Sequence, residues 1–294
     1  MPSHILFSQH GLTDTNCTML ALAQRLAPQM HIVAPDLGYL RTLLHIEPLL
    51  QTIEAAAEEA FYAYPNCPAR IVATSLGGVL WVELLSRHRQ WWPRIESIVL
   101  LGAPIGGADY ARLVDPLGLG IGIAKHLGQN RRPLAEAIAA TIPTLVIASE
   151  TQDGRDGTVP ITATRINHAY FVCLSGVTHP QLRYHPKVVE TIRAFWAEPR
   201  SPLPAPEETP LTRLLTQVRQ LPGITDTSTE HFPLAKVVYT LSDGSTLRCW
   251  KNLLGIDHVY VANAQGQCEY AGFCGWIHSD SLHAAIARLK QSGL

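Results

Sequence analysis

The sequence predicts an α/β chain: a mostly parallel six-stranded sheet with helices on both faces, then a small α+β domain with an antiparallel sheet. Three observations predict this. From residue 1 to about 196, β-branched runs alternate with amphipathic helical ones, the pattern of strands joined by helices that cover a sheet. Pro199, Pro202, Pro204, Pro206 and Pro210 then crowd a stretch that can form neither a helix nor a central strand. Beyond it, strand-like runs are joined by Asp243-Gly244 and Gln265-Gly266, both suited to hairpin turns. The expected division is 1–198, a stiff linker over 199–210, and 211–294.

Taken in order, the first strand is Ile5-Leu6-Phe7-Ser8-Gln9, closed by His10-Gly11. A helix is expected over 15–27, where Met19, Leu22, Ala23 and Leu26 recur at helical spacing. Residues 31–34 form a short strand, stopped by Pro35-Asp36. Over 47–64, Leu49, Ile53, Ala56, Ala57 and Ala60 share one helix face, Glu54, Glu58 and Glu59 stay wet, and Pro65 ends the run. The third strand covers 71–74, with a helix over 79–88. The fourth covers 98–101 and runs into Gly102-Ala103-Pro104. A mixed segment spans 105–142. Pro143 introduces the fifth strand at 145–148, and the sixth lies at 170–174. Val188, Val189, Ile192 and Phe195 give the last helix, 186–196, an inner face.

Composition narrows the function classes. A formal net charge of −1 gives no electrostatic reason to expect nucleic acid or an anionic membrane surface. No apolar run is long enough to cross a bilayer. The first residues carry no basic, apolar, small-residue export pattern, so a cytoplasmic chain with reduced thiols is expected. Cys17, Cys67 and Cys173 fall among apolar elements and are expected to pack as small hydrophobes. The spacing of Cys268, Cys274 and His278 is wrong for a usual zinc knuckle, so these too read as packing groups and no metal is expected.

The chemistry gathers around Ala73-Thr74-Ser75-Leu76-Gly77-Gly78. A strand ends there in a cramped turn with one hydroxyl at its apex, close to the G-x-S-x-G nucleophile elbow but with Ala73 in place of the first glycine. In a parallel sheet the loops past the carboxyl ends of the strands share one rim. That rim should therefore carry His10-Gly11-Leu12, Ser75, Gly102, the loop 153–159 and Val177-Thr178-His179-Pro180. A serine hydroxyl is a weak nucleophile at neutral pH and needs a base, which in turn needs an orienting carboxylate. The rim offers both, with Asp153 and Asp156 as candidate acids and His179 as the base. The backbone N–H groups of Leu12 and Leu76 are candidate donors to an oxyanion.

These segments, with Leu101-Gly102-Ala103-Pro104 and Asp156-Gly157-Thr158-Val159-Pro160, resemble those of small α/β-hydrolases of the bacterial lipase/esterase type over about the first 200 residues. The resemblance implies an α/β-hydrolase sheet without the two leading strands of the larger members. It implies a serine hydrolase acting on a carboxylic ester, with Ser75 as nucleophile, Asp156 as acid and His179 as base, and with no cofactor. His10 is expected to hold the oxyanion loop, and His126, His168 and His185 to be surface or loop residues. The segment 105–142 lies where this fold carries its lid. Its apolar, glycine-rich Leu117-Gly118-Leu119-Gly120-Ile121-Gly122-Ile123-Ala124 suggests a hydrophobic acyl substrate or a buried packing segment.

The alternatives are a thioesterase or acyltransferase with the same triad, or a non-catalytic binding protein on a hydrolase scaffold. Residues 211–294 resemble no family, and their roles range from a protein partner or self-association to simple packing. Leu211, Leu214, Leu215 and Val218 mark a helix, four strands follow over 236–241, 246–250, 259–262 and 269–273, and a helix over 280–291 closes the chain.

Overall fold

The computed structural model describes residues 2–107, 128–151 and 154–292. Two compact units form, Met1–Ala205 and Pro206–Leu294.

The first unit runs β1 (Ile5–Gln9), α1 (Asn16–Leu26), β2 (His31–Val33), α2 (Ile46–Ala63), β3 (Ala69–Thr74), α3 (Leu76–Arg87), β4 (Ile95–Leu101), α4 (Arg132–Ala139), β5 (Thr144–Glu150), α5 (Ile161–Thr164), β6 (Tyr170–Ser175) and α6 (Pro186–Trp196). The six strands form one sheet, in the order β2-β1-β3-β4-β5-β6, and every pairing is parallel. Side chains alternate across it. Phe7, Ile71, Ala73, Ile98 and Leu100 enter a core with α2, α3 and α4, while Leu6, Val72, Val99, Leu101 and Ile147 enter another with α1 and α6. Burial on both faces explains why these strands read as continuous apolar runs. It also pins the register, because a slip of one residue would exchange the two cores.

Several boundaries differ from expectation. The helix after Ser75 starts at Leu76 rather than near 79, so the two glycines lie in its first turn, and α2 begins one residue early, at Ile46. Within the mixed segment, α4 forms with Pro133 in its first turn. Residues 117–124, the basis of the lid expectation, lie outside the described residues. Cys17 and Cys173 are exposed rather than buried. Cys173 sits on the terminal strand β6, and Cys17 lies off the face of α1 that buries Met19, Leu22 and Leu26. Part of the proline-rich stretch lies along the first unit: Leu203 N–H donates to the His168 carbonyl at 3.1 Å, and the Tyr170 hydroxyl to that of Ser201 at 3.1 Å.

The second unit contains α7 (Pro210–Arg219), β7 (Ile224–Asp226), β8 (Lys236–Thr240), β9 (Thr246–Lys251), β10 (Asp257–Ala262), β11 (Cys268–Cys274) and α8 (Ser279–Ser292). Its antiparallel sheet has the order β7-β11-β10-β9-β8. Strand β7 is an addition to the expected elements: it holds one apolar residue, Ile224, ahead of the polar run Thr225-Asp226-Thr227-Ser228. Leu214, Val218, Val259, Val261, Leu282 and Ile286 share its main core. Burial pushes the Cys268 thiol up to about 12 and the Cys274 thiol up to about 11, as suits packing groups. Among the described residues, no cluster of three or more histidine, cysteine or acidic side chains is placed to hold a metal ion, and no helix is long and apolar enough to cross a membrane.

Candidate active site

Ser75 sits between β3 and α3 with φ 52° and ψ −126°, a conformation that a side chain rarely adopts. Such a backbone costs roughly 1–3 kcal/mol and persists only where its surroundings enforce it. They do so here. The Ser75 N–H donates to the Leu101 carbonyl at 2.9 Å, its own carbonyl accepts from Gly78 N–H at 3.0 Å, and the residue is buried. Gly77 is required by contact: a Cβ there would lie 2.6 Å from the His10 carbonyl oxygen and 2.8 Å from that of Gln9. The start of α3 thus rests directly on the chain leaving β1. Ala73, the departure from the elbow pattern, is fully buried without disturbing this turn.

That chain, His10-Gly11-Leu12, is held by a buried histidine. The Leu37 N–H donates to His10 Nε2 at 2.9 Å, so Nε2 carries no proton, and Nδ1–H donates to the Gly11 carbonyl at 3.0 Å. Burial lowers the His10 pKa below its ordinary 6.5, against the pull of the Gly11 carbonyl, Asp14 and Asp36. His10 is therefore neutral and braces the loop. Gly11 allows close approach, since a Cβ there would lie 2.8 Å from Ser75 Cβ and 3.2 Å from the Leu76 nitrogen. Leu12 follows at once, and Leu76 opens a helix whose first N–H groups have no carbonyl within the helix to bond.

The acid and the imidazole come from the loops after β5 and β6. Asp156 is 2% exposed. Its Oδ1 accepts the N–H groups of Thr158 at 2.9 Å and Val159 at 2.7 Å. Its Oδ2 lies 2.6 Å from His179 Nδ1. The His179 N–H also donates to the Asp156 carbonyl at 2.9 Å, so backbone and side chain both join the two loops. With Nδ1 directed at a carboxylate, Nε2 is the ring nitrogen left to act as a base.

Ser75 and His179 line one cleft of about 220 Å³, together with Gly11, Leu12 and Thr74. Asp156 closes the group from behind His179. Asp153 and His126 lie outside the described residues. His168 faces the Leu203 carbonyl at 3.0 Å, and His185 caps α6 through the Lys187 N–H, so neither joins the cleft. Arg183, another cleft residue, and its partner Asp14 went unnoticed in the sequence. They lie 169 positions apart, and no local pattern links them. The described lining is mixed: Leu12 and Pro180 stand beside Thr13, Thr158 and Arg183.

This sheet order, with its strained serine turn after the third strand, is an α/β-hydrolase fold. The chain is similar to Bacillus licheniformis lipase BlEst2, with 17% identity over 67% of this chain and 91% of that one, at a TM-score of 0.50. It is also similar to a Listeria innocua protein (14% identity, 68% of this chain, 96% of that one, TM-score 0.49). A third likeness is to Est1E from Butyrivibrio proteoclasticus, seen with ferulic acid bound (15%, 67% and 90%, TM-score 0.49). At 17% identity the likeness to the Bacillus licheniformis lipase speaks for the fold alone. No protein-family model matches the sequence, and no curated protein matches it.

Proposed function

We propose that the chain is a serine hydrolase that cleaves a carboxylic ester of a small molecule through an acyl-enzyme intermediate. The observation that carries this reading is the 2.6 Å contact between His179 Nδ1 and the buried Asp156 carboxylate, beside a cleft that Ser75 shares. His179 Nε2 takes the hydroxyl proton as Ser75 Oγ attacks the acyl carbon. Asp156 holds the ring in the required tautomer and stabilises the imidazolium that forms. The N–H groups of Leu12 and Leu76 receive the oxyanion, a contribution of about 3 kcal/mol per donor in comparable sites. The imidazolium then returns its proton to the departing alkoxide. Water, deprotonated by the same Nε2, attacks the acyl-serine; the acyl C–Oγ bond breaks, the imidazolium returns the proton to Ser75 Oγ, and the acid leaves.

A fluorophosphonate probe tests the reading. Covalent labelling of the wild-type chain and its loss in Ser75→Ala are expected; labelling that survives the substitution removes Ser75 from the role. A panel of p-nitrophenyl esters and acyl-CoA thioesters then assigns the acyl group and separates esterase from thioesterase action.

A further inference from the structure

Arg183 lines the cleft and belongs to an ion pair that this chemistry does not use. Arg183 ends the 3₁₀ turn His179–Arg183. Its Nη1 donates to Asp14 Oδ2, and its Nε to the Pro180 carbonyl at 3.2 Å. Asp14 Oδ2 also accepts from the Thr18 hydroxyl at 3.3 Å. The Arg183 and Asp14 side chains are only 21% and 13% exposed, so solvent screens the pair less than it would a surface bridge. Beside it, Arg25 Nη1 donates to the Tyr184 carbonyl at 2.8 Å. The turn that bears His179 is thus fastened to the chain just past Gly11-Leu12-Thr13.

The topology makes this fastening matter. Ser75 and Leu76 are set by β3 and α3. Leu12 and His179 sit on loops that leave β1 and β6, strands separated in the sheet by β3, β4 and β5. Four strand spacings are about 19 Å, so no ladder hydrogen bond fixes one loop against the other.

We propose that Arg183 is a positioning residue: its ion pair with Asp14 holds the proton acceptor His179 at a fixed distance from the oxyanion donor Leu12. The proposal rests on the hydrolase reading above. It differs from direct substrate binding by Arg183, in which the guanidinium would act through KM for anionic esters and Asp14 would oppose it.

The test compares Asp14→Asn, Arg183→Gln, the double variant and Arg183→Lys on p-nitrophenyl butyrate. Either single neutralisation is expected to lower kcat about 10–100-fold, the cost typical of a misplaced catalytic group. KM should stay within about twofold, since ground-state binding is untouched. The double variant should be no worse than the poorer single one, and Arg183→Lys should recover most of the rate. Arg87→Gln, which breaks an exposed pair with Glu47, serves as the unaffected control. Unchanged kcat, a change confined to KM, or additive losses would overturn the proposal. An arm independent of turnover follows amide hydrogen exchange by NMR. The Thr13 N–H, which donates to the Thr42 hydroxyl at 3.0 Å, should exchange faster in Arg183→Gln at a temperature where the fold persists, and unchanged exchange there overturns the clamp. A wild-type chain that labels and hydrolyses nothing sinks the hydrolase reading, while the exchange arm still decides the clamp.

Discussion

Each unit of this chain brings a serine, an aspartate and a histidine together, and the two groups are wired differently. In the first unit Asp156 meets His179, and Ser75 stands on the same cleft. In the second, Asp257 is the hub: the Ser279 hydroxyl donates to its Oδ2 at 2.5 Å, while Lys251 Nζ and His283 Nε2 lie 3.3 and 3.5 Å from Oδ1. There the serine gives its hydrogen bond to a carboxylate, a far weaker base than imidazole, and the ring also turns to that carboxylate. Composition is shared and connectivity is not, and the proton relay proposed above rests on the first arrangement alone. Topology contributes to the difference. Parallel strands deliver all their following loops to one rim, whereas hairpins send successive loops to opposite ends.

The sharpest way to break this comparison is to neutralise each hub. Asp156→Asn should leave the fold intact and lower kcat by roughly 10⁴, as expected when the imidazole loses its orienting acid. Asp257→Asn should leave kcat unchanged and lower the midpoint of urea unfolding. Steady-state assays on both variants check this, and equal losses would erase the distinction.

A smaller effect separates tight backbone from open backbone. Gly11→Ala would place a methyl group 2.8 Å from Ser75 Cβ and 3.0 Å from the Thr74 carbonyl oxygen, and nothing near it can yield without moving the elbow. A loss of about tenfold or more in kcat/KM is expected, because donors and nucleophile shift together. Gly275→Ala in the second unit meets no atom within 4 Å and should be silent in the same assay.

The smallest effect is in pH. Burial lowers the pKa of His10, so below 6.5 the unfolded chain takes up a proton that the folded one resists. Stability should therefore fall with pH from about 6.5 until the folded value is reached. Asp257 behaves differently: burial raises its pKa, but the Ser279 hydroxyl and Lys251, aided by the charge of His283, outweigh this and hold it below 3.8. Its contribution is present above 3.8 and fades only as pH falls through its lower folded value. Urea unfolding at about pH 7.5 and about pH 5.5 checks this, with the loss expected in the first unit and absent from the second.

Much of the first unit was legible because buried parallel strands announce themselves as β-branched runs and each is closed by a glycine, a proline or a small-residue turn. The candidate site was legible for a related reason. Ser75, Asp156 and His179 each stand just past a strand, and the strand order sends those positions to one rim. What escaped notice depends on distance or on weak patterning. Asp14 and Arg183 look like ordinary polar residues until the fold pairs them. Strand β7 carries a single apolar residue among polar ones and so shows no strand pattern. The exposure of Cys17 and Cys173 depends on which helix face and which sheet edge they occupy, and neither follows from an apolar neighbourhood.

The seat of α3 on the chain leaving β1 has a practical corollary. Because position 77 has no room for even a methyl group, Ser75 and the adjacent amide behave as a single casting, and randomising 9–11 or 75–78 would mostly disturb the serine turn. Substitutions meant to reshape the cleft and spare this contact belong elsewhere in its lining, at Thr158 for example.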